Sequence, residues 1–524
     1  MFHIVKRSSK LLPIAAVVIG VAVLYAPTLD TGYFADDFDY AVRHAAGEPL
    51  MYAVTRNTDA TLSGGSWRPF TALSYWVTMR LESPFIDHLV SLALYLVVLA
   101  FVYAIARVWF SERSPLFSAI VAALFAALPS HVEPIVWVAA RADLLAAIGA
   151  LAALLLWLKG LRWSALIGIA ASLLSKEFWA LLGFVLPLMP TAQQFLERVA
   201  GLSRGKKLLR GWLGWYASLS AVTLIWLTAR YLITGFGAGG YSITAEQQVL
   251  SLQHIANELI GFAVGVWSFG ETQSFLIRFS QHYWFIMVWI MVLVALGLGQ
   301  RARYDKKFRA ACIGLCATLT PTLMLSIPMI TPAASLGEQR YWFAPSFFIV
   351  LLLAHSKARV FIIFSIPLIA IFAFGTVQNT QYFQQAARYR DQLLATWRTN
   401  ERQFSTAEIF GLPDTWHGVH LFASPFFEHA LQYHKLMQPK KVSAWYQWCT
   451  ASCISRPATT HTTQTETLYE SNEPRIFSQN SRGLRYSIRV QTPMNTGISQ
   501  AFWTGTDWVF VQAHPVENNL KSRY

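Results

Sequence analysis

Apolar runs of membrane-spanning length recur down this chain, and nothing constrains its fold more. About 17 to 25 apolar residues are needed for a helix to cross a bilayer. Runs near that size lie at 11–29, 88–107, 115–134, 142–158, 163–176, 178–190, 212–233, 283–299, 310–330, 342–355 and 359–377. Backbone polar groups have no water partner in hydrocarbon, so such runs fold as helices. Only 13% of the residues are charged against 54% hydrophobic, which separates the chain from soluble domains. The reading is an all-α polytopic membrane protein of about eleven transmembrane helices.

The formal charge of +14 does not form a nucleic-acid patch. Lys6, Arg7 and Lys10 precede the first run; Arg107 and Arg113, Lys159 and Arg162, a group from Arg198 to Arg210, a group from Arg301 to Arg309, and Lys357 with Arg359 follow. These groups fall in every second loop, the positive-inside pattern for a cytoplasmic N-terminus. The alternation requires that 254–270 does not cross alone. The first run is read as a retained span, because Pro27 follows Ala26 and no small-x-small cleavage site ends it cleanly.

Beyond residue 377 the long apolar runs stop. The segment beginning "TQYFQQAARYRDQ" reads as a helix, and "GLRYSIRVQT" and "TGTDWVFVQA" read as strands. The division is therefore 1–377 as the membrane domain, with a first outer loop at 30–87, and 378–524 as a small mixed α/β extracytoplasmic domain. Cys312 and Cys316 lie on one face of a span and are read as packing; Cys449 and Cys453 fall in the polar C-terminal region and can pair if that region is outside the cytoplasm. No asparagine begins an N-x-Ser/Thr triplet, which favours a bacterial inner membrane over a secretory lumen.

The ionisable residues near the spans gather on the outer side. "GYFADDFDY" carries Asp36, Asp37 and Asp39 just after the first run, and Arg68 follows in "SWRPFTALSYW". "LPSHVEPIVWVAARADLLA" holds His131, Glu133, Arg141 and Asp143; "SKEFW" holds Lys176 and Glu177; "GEQRYWFAPS" holds Glu338 and Arg340. Taken singly, each has a plain structural use, as a helix cap or an interfacial anchor. Together they describe a site that holds an anion and moves a proton. Arg68, Arg141, Lys176 and Arg340 suit a lipid phosphate. Asp36 or Asp37 suits a general base, with His131, Glu133, Asp143, Glu177 and Glu338 in support.

These five segments, in this order, resemble the GT-C superfamily of polytopic glycosyltransferases, most nearly the protein O-mannosyltransferase-like branch and its transmembrane, TPR-containing members. The resemblance covers roughly residues 10 to 380. It implies a polyprenyl-phosphate sugar donor, an inverting transfer, and an essential carboxylate from the acidic pair, here Asp36 and Asp37. The chain shows no TPR array after its last run and no recognisable sugar-binding insert, so the acceptor stays open among glycan, lipid and protein hydroxyls. No cofactor is expected: oxygen ligands for a divalent metal exist, but arginines neutralise a monophosphate without one. The partners expected are the lipid-linked sugar and membrane lipid, and no nucleic acid. Two other readings remain, a glycan polymerase or ligase using a lipid diphosphate, and a lipid or solute transporter.

Overall fold

The computed structural model describes residues 2–56, 66–189, 204–235, 282, 284–326 and 336–401, then short segments at 408–410, 412–416, 419–422, 426–438, 441–442, 445–448, 467–469, 488–490, 500–503 and 508–511. Segment 254–270, Cys449 and Cys453 lie outside these. The chain forms two compact units. One joins Met1–Tyr33 to Arg43–Phe383; the other joins Phe34–Val42 to Gln384–Tyr524.

The first unit is helical. Among the described residues, Pro84–Trp109, Val138–Leu158, Trp212–Thr234 and Ala358–Thr399 are long and apolar enough to cross a membrane. Leu12–Thr28, Arg162–Leu173 and Glu177–Leu188 are shorter apolar helices, and Phe343–Leu353 is of 11 residues. The run expected as one span over 115–134 is two helices, Pro115–Ala126 and Pro129–Val136, bent by 65°. The break follows from Pro129. A residue before proline is driven out of the α region, and Leu128 takes φ −61, ψ 124. That bend carries His131 and Glu133 back into the protein, where both are fully buried.

Arg141–Leu158 and Arg162–Leu173 pack at very close range. A Cβ on Gly149 would stand 2.7 Å from the Ser172 backbone nitrogen, and one on Gly168 would stand 2.8 Å from the Gly149 carbonyl oxygen. Glycines let two backbones touch, as small residues do at helix crossings in lipid. Asp143 in the first turn and Lys176 just after the second helix are thereby brought side by side.

The expected break at 377 is not a break in secondary structure. Ala358–Thr399 is one helix of 42 residues, and it passes from the first unit into the second. In the second unit a four-stranded sheet contains Trp508–Val511, antiparallel to Gln500–Trp503. A separate antiparallel pair joins Ile488–Val490 to Thr467–Tyr469. Both segments read as strands from the sequence therefore contain one.

Candidate functional site

In the first unit, the bent helix pair aims Glu133 at the 3-10 turn Leu336–Trp342. Glu133 Oε2 accepts the backbone N–H of Arg340 at 2.7 Å, and Oε1 accepts the Arg340 guanidinium at 2.6 Å. The carboxylate is wholly buried and the guanidinium slightly exposed. The guanidinium also lies over Trp137, 4.5 Å from the ring centre, and over Tyr341 at 5.0 Å. Glu338 belongs to the same turn, and its side chain is outside the described part.

Two further pairs adjoin. Lys176 Nζ donates to Asp143 Oδ2 at 2.7 Å, with both side chains buried, and faces the rings of Phe178 and Tyr341. Lys176 also feels the charges of Arg68 and Arg340. Arg68 approaches Glu177 at 3.3 Å, and Arg230 reaches the same carboxylate oxygen at 4.0 Å. Among the described residues, the cluster sets the four cations Arg68, Lys176, Arg230 and Arg340 against the three carboxylates Glu133, Asp143 and Glu177. The rings of Trp137, Phe178 and Tyr341 lie against its cations. Guanidinium and ammonium groups stacked on aromatic faces in low-dielectric surroundings are a chemistry suited to holding an anion.

Arg141 lies apart from this arrangement. It is fully buried, and its guanidinium donates to Asp87 Oδ1 at 2.8 Å, the Asp87 carbonyl at 2.9 Å, Thr78 Oγ1 at 2.9 Å and Ser91 Oγ at 3.3 Å. Asp87 in turn accepts from Tyr33 at 2.7 Å and from Thr78. The network ties Tyr33 and Thr78 to the starts of the helices Pro84–Trp109 and Arg141–Leu158. His131 is pinned similarly, Nδ1 to the Tyr95 hydroxyl at 2.9 Å and Nε2 to Ser346 Oγ at 3.0 Å, among the rings of Phe125 and Phe343. It braces the bend rather than reaching the cation cluster.

The acidic triplet is in the second unit. Asp37 begins the helix Asp37–Ala45, is fully buried, and its Oδ2 accepts the Phe34 backbone N–H at 3.0 Å, holding the turn ahead of the helix. Asp39 is buried 3.6 Å from His429 Nδ1. Asp36 is half-buried. Phe38 anchors the first turn against Phe422, Tyr433 and His434; burial, and then Arg390, hold the His434 imidazole below its ordinary pKa, so it packs as a neutral ring. No group of three or more possible metal ligands occurs among the described residues.

Asp87 and Arg230 escaped the sequence reading. Each carried a signal: Asp87 sits at the start of an apolar run, and Arg230 inside one, where an ionisable residue calls for a partner.

No family model matches the chain. Among curated proteins it is 34% identical over 179 residues to protein O-mannosyl-transferase Tmtc2 of Drosophila melanogaster. The chain resembles the GT-C membrane glycosyltransferases. The match takes in 30% of this chain and 19% of Tmtc2, so the chain spans about a fifth of that relative. Among solved structures, the crystal structure of ArnT from Cupriavidus metallidurans bound to undecaprenyl phosphate aligns over 81% of this chain and 89% of that one, with 12% identity and a TM-score of 0.39, too low to carry a shared fold. Of the five segments that carry the GT-C resemblance, four each supply a member of the ionic cluster of the first unit, and "ADDFDY" falls in the second unit.

Proposed function

We propose that this protein is a membrane glycosyltransferase that moves a sugar from a polyprenyl-phosphate donor to an acceptor hydroxyl on the extracytoplasmic face. The observation that carries this reading is the largely buried cluster of Arg68, Lys176, Arg230 and Arg340 with Glu133, Asp143 and Glu177, its cations set against aromatic rings. The similarity to Tmtc2 supports it.

In this reading the donor phosphate lies against Lys176, Arg68 and Arg340. Asp36 or Asp37 takes the proton of the acceptor hydroxyl, whose oxygen attacks the anomeric carbon. The bond from that carbon to the phosphate oxygen breaks, and the configuration inverts. The leaving phosphate gains negative charge as the bond opens, and the fixed cations stabilise that charge. The step uses no metal, because the guanidinium and ammonium groups meet the charge. Arg141 is assigned a structural part, since its donors are committed to Asp87, Thr78 and Ser91.

The same reading has the chain crossing a bacterial inner membrane eleven times with a cytoplasmic N-terminus, and residues from about 378 forming a mixed α/β extracytoplasmic domain. The test is purification with bound lipid, mass determination of that lipid, and assay of sugar transfer from a labelled polyprenyl-phosphate donor. A bound polyprenyl phosphate and consumption of donor are expected. A bound lipid diphosphate would point to a polymerase or ligase, and donor moved across the bilayer unchanged would point to a transporter.

A further inference from the structure

A groove of about 520 Å³, lined by none of the residues of the ionic cluster, runs along the helix Lys306–Ser326. Arg309, Cys312, Ile313, Cys316, Ala317 and Thr320 form one wall. Their spacing of three and four residues places them on one face of the helix. Leu181, Phe184 and Val185 form the other wall. Among the described residues, no carboxylate lines the groove.

Its two ends differ. Arg309 is exposed, and among the described residues it has no carboxylate within ion-pair distance. Arg303 and Lys306 are exposed beside it in sequence, whereas Lys307 is engaged by Glu112 at 3.5 Å. Asp305 Oδ1 already accepts the Phe308 backbone N–H at 3.0 Å, so an anion here is met by side chains rather than by the helix end. From Arg309 the wall stays apolar as far as Thr320, about 16 Å along the axis at 1.5 Å per residue, close to the length of one acyl chain.

We propose that this groove binds one anionic phospholipid, its phosphate on Arg309 and an acyl chain against Ile313, Cys316 and Ala317. The occupant comes from the leaflet next to the basic loop 301–309. The inference is independent of the transferase reading, and its test involves no sugar.

The probe is phosphatidylglycerol, titrated against phosphatidylethanolamine on the full-length protein in detergent and followed by native mass spectrometry. The wild type is expected to retain phosphatidylglycerol preferentially. Arg309→Ala should weaken that retention about fivefold, the effect of one basic residue at an anionic surface, and Arg309→Lys should largely restore it. Cys316→Trp, at an exposed position, fills the groove and should remove the preference at unchanged thermal stability. Arg359→Ala, at another basic loop, should leave it intact. Equal retention of both lipids by the wild type would overturn the proposal, as would equal losses in Arg309→Ala and Arg359→Ala.

Discussion

Glu133 holds Arg340 at two points, backbone N–H and guanidinium, across 207 positions of sequence. Because the carboxylate is entirely buried, each group depends on the other more than either contributes alone. A buried charge deprived of its partner costs about 3–5 kcal/mol, whereas removing both is often tolerated. Glu133→Ala and Arg340→Ala should therefore each lower the thermal midpoint in detergent sharply, and the double variant should recover part of the loss. Additive losses in the double-mutant cycle would show that the contact is not coupled.

Donor binding is a separate property of the same cluster. The Glu133→Ala/Arg340→Ala protein, matched for stability, should bind the donor lipid about 10- to 150-fold more weakly, the loss of a charged hydrogen bond of about 1.5–3 kcal/mol. Lys176→Ala should act in the same direction, whereas Arg359→Ala should not. Binding would be measured by retention of a labelled polyprenyl phosphate. Equal retention in all three proteins would remove the cluster from the donor site.

Arg141 gives the contrasting case. Its side chain ends on Asp87, Thr78 and Ser91 rather than on the carboxylates of the ionic cluster. Asp87→Ala should cost about 3–5 kcal/mol of stability through the stranded guanidinium. Donor affinity of the surviving folded fraction should be unchanged. A loss of affinity without loss of stability would return Arg141 to the phosphate-binding set.

Arg141 also marks how far the sequence can be read. Its position at a helix start and its charge are visible in "AARADLLA", but its partner Asp87 is 54 residues away, and the position of Asp87 at the start of an apolar run does not say which cation it meets. The segments that form the ionic cluster were legible because charges in apolar surroundings are costly and rarely idle. Which cation meets which carboxylate was not, since pairing depends on helix approach and bend. The bend at Leu128 was foreshadowed by Pro129, yet the apolar run continues through it, and hydropathy alone reads a single span. The acidic triplet was legible as chemistry and not as architecture: the sequence places it beside the first span, and the chain groups Phe34–Val42 with residues after Gln384.

Helix approach itself can be tested at Gly149. A methyl there meets backbone atoms of the neighbouring helix at 2.7 and 2.8 Å, which no side-chain rotation relieves. Gly149→Ala should destabilise by about 1–3 kcal/mol, as overpacking does. At Gly214 a Cβ meets nothing within 4 Å, so Gly214→Ala should be neutral or stabilising by up to about 1 kcal/mol. Thermal midpoints of the two proteins in one detergent decide the matter; a neutral Gly149→Ala would mean that the two helices separate without cost.

The acidic triplet admits a sharper separation. Asp37 spends one carboxylate oxygen on the Phe34 backbone N–H at 3.0 Å, and Asp39 is buried near His429. Asparagine keeps an acceptor oxygen at position 37, so Asp37→Asn should preserve the turn and the fold. Asp36 is the half-buried member of the pair and the first acid of the segment that resembles the O-mannosyltransferases. If Asp36 accepts the acceptor proton, Asp36→Asn removes the base while keeping the shape, and the transfer rate should fall by about 10²–10⁴. Asp37→Asn and Asp39→Asn should then stay near the wild-type rate, with any Asp39 effect confined to stability through His429. The measurement is sugar transfer from a labelled polyprenyl phosphate by the three purified variants at matched thermal stability. A large loss at Asp37 with little at Asp36 would exchange their roles. Near-normal transfer by both would leave the triplet as the brace of a helix start and remove the carboxylate from the mechanism.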